Sequence, residues 1–267
     1  MAYPLTDKVV VITGASGGIG RACAVEFVRS GAKVVAAARS KDKLDALVEK
    51  LGRDRAEAVP TDVVDPAARA ALLERARERF GRIDVLVNNA GWASFASVAS
   101  TPQAHVDKML ALNLAAPIAL TQAVLPEMTA RGHAQIINIS SVVGAQAIPR
   151  MTVYSATKAA LTSFSTGLRM ELRGTGVDVI NVAPGSTRTD FFDAAASVDV
   201  KPARFAKTQY SPERVARAIV KASRHRRREV ALTADGIAIS VIRRFSHRLA
   251  DAIMYRVAQW GMPTHGD

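Results

Sequence analysis

Tyr154 and Lys158 stand four residues apart in the run Tyr154-Ser155-Ala156-Thr157-Lys158, and Ser141 stands thirteen residues before the tyrosine. Four residues make about one helical turn, so on a helix the phenol and the ammonium project from the same face. A cation beside a phenol favours the phenolate and is expected to lower the tyrosine pKa from about 10 towards neutrality. A serine hydroxyl at the end of a nearby strand can hold a substrate oxygen against that phenol. Together the three form a device for moving a proton to or from a substrate oxygen. The Tyr-Lys pair alone fits a solvated surface helix equally well, so its meaning depends on the elements that position it.

Those elements alternate. Short, nearly all-apolar runs occur at 9–13, 33–38, 56–61, 83–87, 135–140, 177–182 and 229–232, the pattern of parallel strands covered on both faces. Helix-length stretches separate them, such as 19–30, 41–51 and 66–80. Gly31 and Gly52 are placed as helix stops and Pro66 as a helix start. Repeated strand–helix–strand units joined by right-handed crossovers predict a doubly wound, mostly parallel Rossmann-type α/β sheet of about seven strands, with helices on both faces. No internal repeat or linker interrupts the first 235 residues. One domain over 1–235 is expected, followed by a helical extension over 236–267.

The first strand runs into Thr13-Gly14-Ala15-Ser16-Gly17-Gly18-Ile19-Gly20 and then a helix. Glycines let the chain turn sharply and approach a ligand closely, while a helix N-terminus offers free amides to a phosphate. The spacing is not the common G-x-G-x-x-G. However, Thr13-Gly14-x3-Gly18-x-Gly20, Asn88-Asn89-Ala90-Gly91, Asn113, Ser141, Tyr154-x3-Lys158 and Pro184-Gly185 occur in one order. That order and spacing resemble the short-chain dehydrogenases/reductases over about residues 5–235.

The resemblance implies a nicotinamide dinucleotide cofactor and a hydride-transfer reaction. Tyr154 would act as general acid/base, Lys158 would lower its pKa and hold the nicotinamide ribose, and Ser141 would polarise the substrate oxygen. Asn113 would hold a water that joins the lysine to solvent. The cofactor would lie against Gly14, Ser16, Gly18, Ile19 and Gly20, against Asp62 and Val63, and against Asn89, Ala90 and Gly91. Tyr154, Lys158, Pro184, Gly185, Thr187 and Thr189 would hold its nicotinamide end. Asp62 also reads as a cap or turn residue, and Asn113 as a helix-interior side chain bonded to backbone.

Cofactor choice rests on the end of the second strand, Ala36-Ala37-Ala38-Arg39-Ser40-Lys41. NAD binders generally place a carboxylate there for the ribose 2′-hydroxyl, and Ala38 occupies that position. A guanidinium forks onto a phosphate, so Arg39, supported by Ser40 or Lys41, argues for the 2′-phosphate of NADP(H).

The substrate region offers Trp92, Phe95, Val142, Ala145, Ile148, Met151, Phe191 and Phe192. It is expected to be mostly apolar, suited to a small hydrophobic carbonyl or alcohol, with 194–209 as a mobile lid. The five histidines lack metal-ligand spacing and there is no G-x-S-x-G elbow, so neither a metal site nor a serine hydrolase is expected. The single Cys23 allows no internal disulfide. No signal-like leader or uninterrupted apolar run of about 18 residues is present, and a cytoplasmic compartment is the expectation. A homodimer or homotetramer follows from the resemblance, as does a competing reading in which the chain binds the dinucleotide without turnover, as a sensor or scaffold.

Net charge is +12, and residues 201–267 hold 14 Lys and Arg against 5 Asp and Glu, or +9. Ile242, Phe245, Leu249, Ile253, Val257 and Trp260 are spaced for one face of a helix, with Arg243, Arg244, His247, Arg248 and Asp251 mainly on the other. Such a helix can cover the domain, join subunits or lie peripherally on an anionic membrane. Nothing pairs the basic residues with base-reading or stacking groups, so nucleic acid is not an expected partner.

Overall fold

The apolar runs become the strands of one parallel sheet in the computed structural model, which describes residues 2–200, 209–232 and 234–261. β1 (Val9–Thr13), β2 (Lys33–Ala38), β3 (Ala56–Pro60), β4 (Val85–Asn88), β6 (Ala134–Ile139), β7 (Val177–Ala183) and β9 (Glu229–Ala231) lie in the order β3-β2-β1-β4-β6-β7-β9. A second, two-stranded sheet pairs β5 (Ser94–Phe95) with β8 (Ala196–Ser197). Neither short strand was expected.

Strand alternation builds two cores. Val10 and Ile12 of β1 face one core with Phe27 of α1 (Gly18–Arg29) and Ile219 of α7 (Pro212–Arg224). Val9 and Val11 face the other with Leu72 of α3 (Pro66–Phe80), Leu120 and Val124 of α5 (Ala116–Arg131) and Leu168 of α6 (Thr152–Glu171). α2 (Lys41–Leu51) adds Leu44 and Leu47 to the first core. The expected doubly wound sheet with helices on both faces is therefore the fold of this chain.

Local chemistry sets the helix ends. Asp65 caps α3 by accepting from Ala67 N at 2.9 Å, Pro66 opens it, and Gly81 closes it at φ 83°. Ser211 caps α7 in the same way. α4 (Gln103–Leu110) runs into α5 through one π-helical turn at Ala111–Ala115. This continuous run, Gln103–Arg131, is long and apolar enough to cross a membrane by length and composition. Leu120, Val124 and Met128 on it are packed in the second core, as in a helix of a globular fold.

The C-terminal extension departs from the expected single helix. α8 (Ala234–Phe245) stops, and α9 (His247–Gly261) restarts, because the Ser246 hydroxyl accepts the Leu249 amide at 3.2 Å. The break at Ser246 divides the expected apolar stripe between two helices. Ile253 and Val257 turn inward, while Phe245, Leu249 and Trp260 are exposed.

Candidate active site

The sheet order reverses at β1, whose neighbours are β2 and β4. In a doubly wound sheet the crevice at the carboxyl ends of such strands is where ligands bind. Here the two strand ends are latched together. Thr13 Oγ1 accepts from the Asn89 and Ala90 amides, both at 3.0 Å, and the Asn89 side-chain amide donates to the Thr13 carbonyl at 2.9 Å. That latch leaves no room for side chains. A Cβ on Gly14 would lie 2.9 Å from Asn89 Nδ2, and one on Gly20 would lie 2.3 Å from the Gly14 carbonyl oxygen. Gly17 precedes α1 without a side-chain cap, and no acid stands in its first turn. The α1 amides therefore face the crevice with their positive dipole end, which fits a dinucleotide pyrophosphate.

Ser141, Tyr154 and Lys158 meet at the same crevice. The two consecutive serines diverge as strand alternation requires. The Ser140 hydroxyl donates to the Lys158 carbonyl at 2.9 Å, whereas the Ser141 hydroxyl accepts from Val143 N at 3.3 Å and acts on the Tyr154 phenol, favouring its ionised form. Tyr154 and Lys158 are 7% and 4% exposed, so neither is the solvated surface residue that helical spacing alone would permit. Lys158 Nζ donates to the Ile139 carbonyl at 2.9 Å and lies 5.8 Å from the tyrosine ring centroid. Burial raises the Tyr154 pKa above its usual value, with the Ser141 hydrogen bond opposing it, and lowers that of Lys158 to about 8. In the cofactor-free chain burial outweighs the depression of the phenol expected from the lysine. The ammonium is itself destabilised by burial, and one of its three N–H donors is engaged by the Ile139 carbonyl.

Asn113 is fully buried on the π-helical turn. Its Oδ1 accepts from Trp92 N at 2.9 Å, while Nδ2 donates to the Trp92 carbonyl at 2.9 Å and to Thr157 Oγ1 at 3.1 Å. It fixes the loop after Gly91 against α6. Gly91 itself has Asn113 Oδ1 and Lys158 Nζ at 3.3 and 3.5 Å from where a Cβ would sit.

A single cavity of about 1300 Å³ contains nearly all of the expected site. Gly14, Ser16, Gly18, Ile19, Arg39, Asp62, Val63, Asn89, Ala90 and Gly91 line it, as do Pro184, Gly185, Thr187 and Thr189. Gly20 is absent from the lining because it packs on the Gly14 carbonyl behind it. Asp62 Oδ1 accepts from Val64 N at 3.0 Å, so it is both a turn residue and a wall. Lys41 pairs with Asp45 at 2.5 Å, and the lysine that lines the cavity is Lys43. Among the described residues no carboxylate pairs with Arg39.

At the other end Phe191 stands 5.8 Å from the Tyr154 ring. Phe95 and Ala145, expected as wall residues, do not line the cavity. Phe95 is fully buried and stacks behind Phe192, and the Ala145 carbonyl accepts from Arg243 of α8. Ile239, Ile242, Ile253, Met254, Val257 and Trp260 of α8 and α9 complete the wall instead. Much of the expected lid, 201–208, lies outside the described residues.

A family model described as short chain dehydrogenase matches residues 8–199. The chain belongs to that family. An uncharacterised oxidoreductase of Staphylococcus aureus strain USA300 is 36% identical over 218 residues, spanning 82% of this chain and 91% of that protein. The crystal structure of a short-chain dehydrogenase from Streptomyces avermitilis superposes with a TM-score of 0.82 at 35% identity, covering 91% and 94% of the two chains. A short-chain dehydrogenase from Sphingobium yanoikuyae in complex with NADPH gives 0.77 at 32%, covering 89% and 94%.

Against this dehydrogenase frame, the residues that sequence reading missed are of two kinds. Lys43, in the first turn of α2 just beyond Arg39, could have been found by its charge and its place after β2. Gly144 could not. A Cβ there would lie 2.9 Å from the Lys158 carbonyl carbon, and no local pattern announces that approach.

Proposed function

We propose that this short-chain dehydrogenase is an NADP(H)-dependent oxidoreductase that interconverts a hydrophobic ketone or aldehyde with its alcohol. The carrying observation is that Ser141, Tyr154 and Lys158 line one cavity, at the junction of a phosphate-accepting glycine turn and an apolar chamber, with the tyrosine and lysine buried. The bound nicotinamide supplies or receives the hydride. Tyr154, kept protonated by burial, donates its proton to a carbonyl oxygen as negative charge develops there, and takes it back in the oxidative direction. Ser141 orients that oxygen, and the Lys158 ammonium stabilises the negative phenol left by donation. Asn113 holds the Trp92 backbone and thereby the loop beside them.

Preference for NADP(H) is supported by Ala38 in place of an acid and by Arg39, which pairs with no carboxylate among the described residues, with Lys43 on the same wall. The NADPH complex of the Sphingobium relative is consistent with it. Tyr154→Phe should keep NADPH affinity and lose about 10²–10⁴-fold in turnover of alicyclic or aromatic ketones; unchanged turnover would remove the phenol from the mechanism. Arg39→Ala should weaken NADPH about 10–100-fold, the worth of a charge-assisted hydrogen bond, and leave NADH unchanged. Equal losses for both cofactors in fluorescence titration would overturn the NADP assignment.

A further inference from the structure

We infer that the outer flank of α8–α9 seats the protein on an anionic lipid membrane. Leu249 and Trp260 are 53% and 66% exposed and eleven residues apart on α9, about three turns, so they share one flank. Arg256, two turns beyond Leu249, lies on that same flank. Arg248 and Tyr255, also two turns apart, form the adjoining row, with Tyr255 57% exposed. Phe245, at the end of α8, is 87% exposed. Large apolar and aromatic side chains interleaved with arginines are the composition of a helix that lies in a bilayer interface, where rings sit at headgroup level and cations meet lipid phosphates.

Charge complementarity decides between a membrane and a second copy of the chain. Arg248 and Arg256 pair with no carboxylate among the described residues, and Asp251 is turned towards Gln146 at 3.3 Å. A two-fold contact brings a patch against itself, which would set these arginines against their own kind. An anionic lipid surface instead neutralises them while burying the rings. The flank also adjoins the cavity. Trp260 belongs to both, being two-thirds exposed and part of the chamber wall.

The test uses the full chain and sedimentation with vesicles of phosphatidylcholine, alone or with about a third phosphatidylglycerol. Binding should require the anionic lipid and fall several-fold at high salt, because exposed charges are screened. Phe245→Ser with Leu249→Ser, and separately Arg248→Glu with Arg256→Glu, should each reduce the bound fraction at least tenfold while circular dichroism and NADPH binding stay unchanged. In a Trp92→Phe background, Trp260 emission should shift to the blue on vesicle addition. The proposal is overturned if the protein ignores anionic vesicles at low salt. It is equally overturned if both double variants bind as well as the parent, or if light scattering shows that the two apolar substitutions dissolve an oligomer without changing vesicle binding. None of these outcomes depends on catalysis, so the oxidoreductase reading stands or falls separately.

Discussion

Lys158 is a charged side chain placed where charge is expensive. It is 4% exposed, its ammonium has one protein acceptor in the Ile139 carbonyl, and burial lowers its pKa from 10.5 to about 8. That drop corresponds to about 3 kcal/mol between the protonation states. The sign follows from proton counting: between pH 8 and 10.5 the unfolded chain holds a proton on this lysine that the folded chain has released, so stability from this group rises with pH across that window. The penalty is full below pH 8. Lys158→Met should therefore stabilise the cofactor-free protein by about 1–2 kcal/mol at pH 7, the orphaned Ile139 carbonyl offsetting part of the gain. The gain should shrink towards pH 10.5, and turnover should be lost. Urea denaturation of the two proteins across that pH range is the measurement, and a methionine variant less stable at pH 7 would show that the buried ammonium is not a cost. Spacing alone brought Tyr154 and Lys158 to one helix face. The direction of the tyrosine shift was not legible, because burial is a property of the assembled crevice and not of a five-residue motif.

At the scale of the element, legibility followed how local the deciding interaction is. β1 and β2 could be read because strands buried on both faces must be apolar throughout. The α3 ends could be read because caps are chemical and adjacent in sequence. β5 and β8 could not, since two residues pairing across the loop after β4 and the segment after β7 leave no periodic trace. The π-helical turn that aims Asn113 was equally silent. Two glycines on or against α6 make this contrast measurable. Gly167 lies within α6 with nothing within 4 Å of a Cβ position, whereas Gly144 on the turn after Ser141 would press a Cβ to 2.9–3.0 Å from the Lys158 and Ala159 backbone. Gly167→Ala should stabilise by about 0.5–1 kcal/mol through helix propensity. Gly144→Ala should cost about 1–3 kcal/mol through overpacking and reduce turnover by moving the Ser141 hydroxyl from Tyr154. Thermal unfolding and single-turnover NADPH oxidation check the pair, and equal effects would mean that the turn yields freely.

For the whole molecule the site is the meeting of distant segments. The glycine turn, the loop after β4, the segment after β6 and the C-terminal helices reach one cavity only because the parallel sheet ends all its strands on the same side. The extension at 236–267 looked like an appendage because its apolar spacing runs on past Ser246, and no sequence pattern tells whether a covered surface belongs to a chamber or to a scaffold. Among the described residues, two hydrogen bonds tie that roof to the segment after β6: Arg243 to the Ala145 carbonyl, and Gln146 Nε2 to Asp251 Oδ1 at 3.3 Å. Both reach the stretch between Ser141 and Tyr154, so the roof is tied to the segment that positions the proton donor rather than to the cofactor crevice. Asp251→Ala removes one tie without touching the cavity wall or Arg39. Local opening of α9 should become easier, giving faster amide exchange from Ala250 to Val257. For ketones large enough to reach Ile253 and Val257, KM should rise about three- to tenfold, the loss of roughly one hydrogen bond's worth of positioning. NADPH affinity and the turnover of small ketones should not move. If every ketone and NADPH lose affinity together, the roof supports the fold as a whole and not the far end of the chamber.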